Sequence, residues 1–147
     1  MQNQINIRKA DETDFGSIYQ FVNELEETVF ELENQRKAFE QNIKNENYIY
    51  LIAQLNDKSI GFISCHSQNL LHRAGQKIAE IQEMYVIPEK RKIGVGKRLI
   101  DELKRVAKKN GIVQLEVTSN KRRTETHRFY QRENFLNTHE KFTFELK

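Results

Sequence analysis

The chain has 147 residues, of which 37% are hydrophobic and 31% charged, and it carries a formal net charge of +3. This length and composition predict one globular domain over residues 1–147 with a core of its own. A membrane partner is excluded because no apolar run is long enough to cross a bilayer. The first residues also lack the basic-then-apolar pattern of a signal peptide.

Cys65 is the only cysteine in the chain, so an internal disulfide is excluded. Together with the missing signal pattern, this predicts a cytoplasmic protein. A nucleophilic Cys65 is conceivable, but a small buried strand residue is the preferred interpretation.

Charge is distributed unevenly along the chain. Glutamates make the early chain acidic, whereas residues 90–109 and 121–132 are rich in lysine and arginine. This asymmetry suits an anionic ligand on one side and a cationic substrate near the other. The alternative is that most of these charges are simply solvated.

The first half of the chain predicts two helices and a hairpin after a short strand at Ile5 and Ile7. Asp11 is a plausible N-cap for a helix whose apolar positions recur at helical spacing. A second helix is expected over Glu33–Lys44. Strands are then expected at Tyr48–Leu55 and Ile60–His66, with residues 68–76 irregular.

The second half predicts a parallel strand–helix–strand unit. A long central strand, Ile78–Ile87, ends at the only proline, and a helix beginning at Val95 ends near residues 110–111. The strand at residues 115–118 should run parallel to the central one. A helix over Thr124–Arg132 with Asn134 at its end, and then a final hairpin using Phe135 and residues 142–146, complete the chain.

A basic, glycine-containing turn connects the central strand to the following helix. It reads Arg91-x-x-Gly94-x-Gly96, with further lysines around it. Glycines at a helix start allow close approach of a ligand, and the free N–H groups of the first turn favour negative charge. The turn therefore predicts a phosphate or pyrophosphate site, although two glycines alone would be an ordinary loop.

These features resemble the GNAT superfamily of acetyl-CoA-dependent N-acetyltransferases. The resemblance is carried by Met84-Tyr85-Val86-Ile87-Pro88 with the Arg91–Gly96 turn, and by the second signature at residues 126–135. Thr126 and Asn134 depart from that signature, but Asn134 tolerates the left-handed backbone that the family's glycine adopts. A closer resemblance, to aminoalkylphosphonate N-acetyltransferases, extends over almost the whole chain through residues 78–83, 119–123 and 127–130.

The resemblance implies an α/β (α+β) fold with a mixed, mostly antiparallel sheet of six or seven strands flanked by helices. A splayed parallel strand pair would open a slot for acetyl-CoA as cosubstrate. Its pantetheine arm would use the main chain of Met84, Tyr85 and Val86 and the side chain of Asn120. Its pyrophosphate would lie on the turn and first helical residues, namely Arg91, Lys92, Ile93, Gly94, Val95, Gly96 and Lys97.

Acetyl transfer needs a neutral amine, so a carboxylate beside the ammonium helps to remove a proton. Glu80 is the candidate base, and Glu83 competes for this role. In a regular strand the two point to opposite faces, but a bulge would change that. Either could instead be a structural ion-pair partner. By resemblance Tyr130 is the candidate acid for the leaving thiolate, and the Met84 N–H would polarise the acetyl carbonyl.

The expected substrate is a small aminoalkylphosphonate, attacked directly in a ternary complex. Arg36, His66 and His72 are the candidate substrate-binding residues, with Lys141 as a further cation. His66 and His72 could alternatively hold a divalent metal or be ordinary surface residues, and their spacing gives no metal motif.

Other functions stay open from the sequence. A related enzyme acting on an aminoglycoside, polyamine or protein amine would favour an acidic pocket, which the early glutamates could supply. A basic nucleic-acid-binding module is the lower alternative, and it leaves the two glycines and Tyr130 unexplained, so no nucleic-acid partner is expected. The oligomeric state is undetermined, with a homodimer as one option.

Overall fold

The computed structural model describes residues 4–146 and shows one sheet flanked by helices. The strands are β1 (Ile5–Lys9), β2 (Tyr48–Leu55), β3 (Lys58–Leu70), β4 (Gln76–Val86) and β5 (Ile112–Val117). The helices are α1 (Phe15–Glu26), α2 (Leu32–Ile43), α3 (Val95–Lys109) and α4 (Thr124–Arg132). None of the helices in this described part is long and apolar enough to cross a membrane.

The sheet follows chain order, β1-β2-β3-β4-β5. The first three pairings are antiparallel, and β4 pairs with β5 in parallel. The mixed, mostly antiparallel sheet with a parallel pair at its end is therefore confirmed. Helix α3 makes the crossover that a parallel connection requires.

Alternation along the strands gives the sheet two apolar faces, each covered by different helices. One face packs against α1 and α2 around Phe21, Ile52 and Phe62. The other packs against α3, whose Leu99 and Leu103 are fully buried. Because α1 and α2 cover only part of their face, polar residues can occupy the rest of it.

Local signals placed several boundaries correctly. Asp11 caps the first helical turn by accepting a hydrogen bond from the Thr13 N–H, and the Asp11 N–H donates to the Asp14 carboxylate in return. Strand β2 and helix α4 have the predicted bounds. Asn134, just after α4, adopts the left-handed backbone with φ of 70°.

Three expectations about strands are wrong. The described residues form five strands, not six or seven. Strand β3 continues to Leu70, because Gln68 and Asn69, expected to be irregular, pair with Ile78 and Lys77 of β4. The final hairpin is absent: residues 135–146 form no strand, since their alternating pattern finds no ladder to join within the described chain.

We expect Gly61→Ala to destabilise the fold, because a Cβ at residue 61 would lie 2.6 Å from the Tyr85 carbonyl oxygen on β4. The expected loss in the free energy of unfolding is about 1–3 kcal/mol, typical of overpacking. Gly16→Ala in α1 is the matched control, since nothing lies within 4 Å of its added methyl. It should stabilise the chain by roughly 0.5–1 kcal/mol. Urea denaturation measures both, and equal effects would contradict the close β3–β4 contact.

Candidate functional site

Strands β4 and β5 part before β4 ends. Their pairing runs only as far as Ile81 opposite Val117, whereas β4 continues to Val86. The main chain of Met84, Tyr85 and Val86 therefore runs on without a β5 partner. This gap is the splayed parallel pair expected from the sequence, and it leaves a strand-like ligand room to pair with β4.

A bulge in β4 decides which side chains share a face. Glu83 lies opposite Ser64 and Ile81 lies opposite Cys65, so Gln82 is an extra residue without a partner on β3. Glu80 then lies opposite His66. Because Ser64 and His66 are two residues apart on β3, Glu83 and Glu80 project from the same face of the sheet. The opposite-face arrangement of a regular strand does not occur.

Glu83 is the more enclosed of the two carboxylates. Its Oε1 accepts a short hydrogen bond from Ser64 Oγ, and Ser64 itself is fully buried. Burial raises the pKa of Glu83, the Ser64 hydrogen bond opposes that rise, and the negative charge of Glu26 adds to it. A carboxyl with a raised pKa is a better proton acceptor once ionised.

Glu80 lines a cavity of about 260 Å³ at the open end of the same face. Its Oε2 accepts a 2.8 Å hydrogen bond from Thr118 Oγ1, just beyond the end of β5. The other lining residues are mostly polar and include one more carboxylate; they are Asn45, Asn47, Tyr48, His66, Ser67, Gln68, Leu70, Ile78, Gln82 and Glu116. The charged groups in this wall are thus anionic, which favours binding of an ammonium group.

His66 is held in the cavity wall by aromatic neighbours. Its ring stacks on Tyr48 with centroids 3.6 Å apart and planes inclined by 8°. Its Nε2 lies 3.4 Å from the Tyr50 hydroxyl, to which Asn42 Nδ2 donates at 3.0 Å. Burial lowers the pKa of His66, partly offset by the charge of Glu80, so the neutral imidazole is favoured. The sequence did not indicate that Tyr48, Tyr50 and Asn42 would surround His66, since these residues looked only like ordinary strand and helix positions.

Tyr130 is buried in the core on the α3 side of the sheet. Its ring makes edge contacts with Phe129 and Phe135 at centroid distances of 5.2 and 5.3 Å. Burial raises the pKa of Tyr130 to about 12, so its hydroxyl keeps its proton at neutral pH. A protonated phenol can serve as a donor, which is the role expected of it.

The basic turn before α3 has the geometry of an anion site. Lys92 and Gly94 both adopt positive φ, at 71° and 90°. The first hydrogen bond of the helix is donated by Arg98 N–H to the Gly94 carbonyl at 3.0 Å. The N–H groups of the preceding first-turn residues therefore have no acceptor within the helix and can bind an anion.

The two glycines of this turn serve different purposes. Gly94 supplies the left-handed backbone that precedes α3, and nothing lies within 4 Å of where its Cβ would be. Gly96 is needed for packing, since a Cβ there would lie 3.2 Å from two ring carbons of Phe129 on α4. Close approach to a ligand, expected of both glycines, stays a prediction.

Two of the predicted cationic side chains near the turn, Arg91 and Lys97, already have partners. Arg91 Nε donates to the Val86 carbonyl at 2.7 Å, and its guanidinium lies 5.2 Å from the Tyr85 ring centroid. Lys97 lies 3.5 Å from both Asp101 and Glu133. The Arg91 side chain thus binds the main chain at the end of β4. On either side of Gly94, Ile93 is exposed and Val95 is buried.

The loop after β5 carries a polar atom that lacks a partner. Ser119 Oγ is buried and is the one such side-chain atom in residues 4–146 with no hydrogen bond. Next to it, Asn120 Oδ1 accepts from Arg122 N–H at 3.0 Å and so shapes its own loop. An unpaired hydroxyl where β5 leaves β4 fits an amide-bearing ligand arm such as pantetheine. Sequence reasoning selected Asn120 and missed Ser119.

Other predicted substrate-binding residues do not line this cavity. The Arg36 guanidinium lies 4.6 Å from the Phe15 ring centroid and 3.5 Å from Glu33. His72 is exposed in the turn after β3, and Lys141 is exposed near the C-terminus. Their roles stay predictions.

Two further candidates from the sequence can now be located. In the described part of the chain no three His, Cys, Asp or Glu side chains come together as a metal site. Cys65 is fully buried on β3, and burial raises its thiol pKa to about 11, which is typical of a packing residue.

A family model and a curated relative indicate the same family for this chain. The acetyltransferase (GNAT) family matches residues 15–135. Aminoalkylphosphonate N-acetyltransferase of Salmonella typhimurium is 34% identical over 137 residues, covering 93% of this chain and 88% of that protein.

Solved structures of the same fold also superpose closely. One is an aminoglycoside N-acetyltransferase AAC(6')-Iy in complex with CoA, with a TM-score of 0.89 and 16% identity, covering 100% of this chain and 97% of that one. Another, described as a transcriptional regulator from Bacillus halodurans, has a TM-score of 0.88 and 21% identity, covering 97% of this chain and 100% of that one. At these identities the two structures support the fold alone.

The raised pKa of Glu83 has a consequence for stability. A carboxyl whose folded pKa lies above its ordinary value of 4.5 binds more protons in the folded state. The wild-type chain should therefore lose stability relative to Glu83→Gln as the pH rises through 4.5 to the folded pKa, with a constant difference above it. Denaturant unfolding at a series of pH values measures this difference.

Ser64→Ala is the matched variant for that experiment. It removes the hydrogen bond that lowers the pKa of Glu83, so the pH range over which stability falls relative to the corresponding Gln variant should extend to higher pH. Parallel stability curves for the wild type and Glu83→Gln across the whole range would contradict the raised pKa.

Proposed function

This chain belongs to the acetyltransferase (GNAT) family, and on that basis we propose that it acetylates the amino group of a small aminoalkylphosphonate by direct attack in a ternary complex. As a GNAT N-acetyltransferase it uses acetyl-CoA as cosubstrate. The finer proposal concerns the amine and the residues that act on it.

The β4 bulge is the observation that carries the proposed mechanism. It brings Glu80 and Glu83 to one face, next to the gap between β4 and β5. An amine in the cavity beside Glu80 could therefore approach a ligand in the gap. Proximity of this kind is a large part of catalysis by ternary-complex enzymes.

The cavity wall suits the amine end of the substrate. Glu80 and Glu116 attract the ammonium group, which must lose a proton before it can attack. Glu80 is the proposed base because it lines the cavity directly. Glu83, whose pKa is raised by burial, is the competing candidate and could act through a water molecule.

On the other side of the reaction, acetyl-CoA supplies the activated acetyl thioester. The N–H groups of the first turn of α3 and the turn before it would hold the pyrophosphate, with Gly94 setting their direction. The Met84 N–H is proposed to polarise the acetyl carbonyl. Tyr130, protonated at neutral pH, is proposed to hold the proton for the leaving thiolate.

Two points support a phosphonate substrate. The Salmonella relative named for this activity is similar over most of both chains. In addition, the cavity wall offers neutral donors that can bind a phosphonate oxygen, from His66 and the amides of Asn45, Asn47 and Gln68. Cations from Arg36, His72 or Lys141 would require these side chains to move toward the cavity.

A polycationic amine is the second candidate. The observation that favours it is the charge of the cavity wall, which includes Glu80 and Glu116 and no lysine or arginine among the described lining residues. An aminoglycoside or polyamine would find complementary charge there. A phosphonate group would have to avoid the same carboxylates.

A panel of amines separates these candidates. We expect acetyl-CoA-dependent thiol release to be fastest with aminomethylphosphonate and its short homologues, and at least about tenfold slower with spermidine or an aminoglycoside, because neutral donors in the wall can bind the phosphonate. The substrate-free rate is the control. Turnover with the polycations only would overturn the phosphonate proposal and keep the acetyltransferase.

The identity of the base can be tested with Glu80→Gln and Glu83→Gln. If Glu80 accepts the proton, Glu80→Gln should lower kcat about 10²–10⁴-fold and abolish the acidic limb of the pH–rate profile, since an amide cannot accept a proton. Glu83→Gln should then retain most of kcat. The reverse pattern would assign the base to Glu83.

Glu12→Gln, an exposed change in the turn before α1, is the matched control for those variants. Equal acetyl-CoA binding by the variants, measured by calorimetry, would confine any loss to the amine side of the reaction.

A further inference from the structure

Tyr50 carries a buried hydroxyl group that the proposed reaction does not use. Asn42 Nδ2, on α2, donates a 3.0 Å hydrogen bond to this hydroxyl oxygen, and His66 Nε2, on β3, lies 3.4 Å from the same oxygen. A buried hydroxyl needs an acceptor for its own proton as well as donors for its oxygen. The direction of the hydrogen bonds among these three side chains therefore decides which nitrogen of His66 carries a proton.

One direction satisfies all three groups. Because Asn42 gives a proton to Tyr50, the Tyr50 proton must go to another acceptor, and His66 Nε2 is the acceptor within reach among the described residues. An imidazole nitrogen that accepts a hydrogen bond has no proton, so the neutral ring carries its proton on Nδ1. With Nε2 as the donor instead, the Tyr50 proton would have no acceptor in residues 4–146.

The protonation states of the two rings fit this direction. Burial raises the pKa of Tyr50 to about 12, so the hydroxyl keeps the proton that it donates. Burial also lowers the pKa of His66, and the charge of Glu80 only partly offsets that effect. A neutral His66 can accept at Nε2, whereas a cationic ring could not.

The other ring nitrogen of His66 is available to a ligand. Stacking on Tyr48 fixes the ring, which lines the cavity together with Glu80. Within residues 4–146 the Nδ1 atom has no hydrogen bond, yet the buried side-chain atom that lacks a partner is Ser119 Oγ. His66 Nδ1 is therefore open to the cavity. Glu80, opposite His66 on β4, accepts its hydrogen bond from Thr118.

We propose that Asn42 and Tyr50 are positioning residues that hold His66 as the Nδ1–H tautomer, so that this N–H donates to an oxygen of the substrate's phosphonate group. The inference rests on the proposed function, in which the amine lies beside Glu80. His66 and Glu80 face each other on neighbouring strands, which lie about 4.8 Å apart. A substrate with one or two carbons between its amine and its phosphonate therefore reaches both groups.

A neutral donor suits a cavity that also holds a candidate base. A cationic imidazole at His66 would attract Glu80 and compete with the ammonium group of the substrate. A neutral ring with a fixed N–H offers the phosphonate a hydrogen bond and leaves the charge of Glu80 available. Asn42 and Tyr50 thus affect recognition of the anionic end without touching the substrate.

The tautomer can be measured in the free protein by nitrogen NMR, because protonated and unprotonated imidazole nitrogens have well-separated chemical shifts. His66→Gln identifies the signals of this ring among the four histidines. At about pH 8, above the ordinary pKa of histidine, we expect the proton on Nδ1. Tyr50→Phe should remove this preference, and Asn42→Asp, whose carboxylate accepts the Tyr50 proton, should move the His66 proton to Nε2. A wild-type proton on Nε2, or a tautomer that neither variant changes, would overturn the proposal.

Steady-state kinetics tests the consequence for the substrate. Tyr50→Phe should raise KM for aminomethylphosphonate about tenfold and leave kcat within about twofold, because a donor used equally in ground and transition states is lost. KM for acetyl-CoA should not change. Tyr19→Phe is the matched control, since it removes a tyrosine hydroxyl that donates to the Phe30 carbonyl outside the cavity.

The two measurements separate the two possible failures. A wild type that does not acetylate aminomethylphosphonate would overturn the proposed function and the phosphonate as the ligand of His66, while the nitrogen shifts would still decide the tautomer. A wild type that acetylates it with a KM that Tyr50→Phe leaves unchanged would overturn the positioning role and keep the proposed function.

Discussion

Gln82, the residue of β4 with no partner on β3, determines which face of the sheet carries the two candidate bases. Without that extra residue, Glu80 and Glu83 would lie on opposite faces of the sheet, one of them in the apolar layer beneath α3. With it, both carboxylates project from the face that packs against α1 and α2. A bulge also increases local twist, and here it occurs just where β5 separates from β4. The face with the two candidate bases and the gap proposed for the cosubstrate therefore adjoin each other at one point of β4.

The two sides of the candidate site also differ in electrostatic character. On the face that carries Glu80, the cavity wall is acidic and His66 is kept neutral by burial. Arg73 lies 4.0 Å from Glu116, so Glu80 is the wall carboxylate with no cation paired to it in the described chain. At the end of β4, the backbone N–H groups of the turn before α3 and the Arg91 side chain are proposed to provide positive potential for phosphates. In the proposed ternary complex the ammonium group of the substrate and the phosphates of acetyl-CoA would thus meet potentials of opposite sign.

Much of the fold could be predicted because its signals are local. Pro88 ends the central strand, Asn134 ends the last helix, and β2 is bounded by polar turns, so these boundaries were placed to within a residue or so. The bulge at Gln82 could not be placed, because it depends on the register with β3. The final hairpin, predicted at Phe135 and residues 142–146, did not form, because alternation of apolar residues indicates only a tendency to pair, whereas a ladder needs a partner strand.

In the candidate site, too, local features could be predicted and contacts between distant residues could not. The turn around Gly94 and the position of Tyr130 follow from sequence motifs that fix backbone shape and packing. Contacts between distant residues do not follow from such motifs. His66 could be selected as polar, but its stacking on Tyr48 could not be foreseen, and Arg36 looked available although it lies against Phe15.

The contact between Gly96 and Phe129 ties two parts of the site into one mechanical unit. Phe129 lies against the first turn of α3, and the next residue on α4 is Tyr130. We expect a displacement of the turn proposed to bind phosphate to shift α4, the helix that carries Tyr130. A larger side chain at residue 96 would push α3 and α4 apart. If the turn binds the cosubstrate and Tyr130 donates the proton, as proposed, substitutions at this contact should change both functions together.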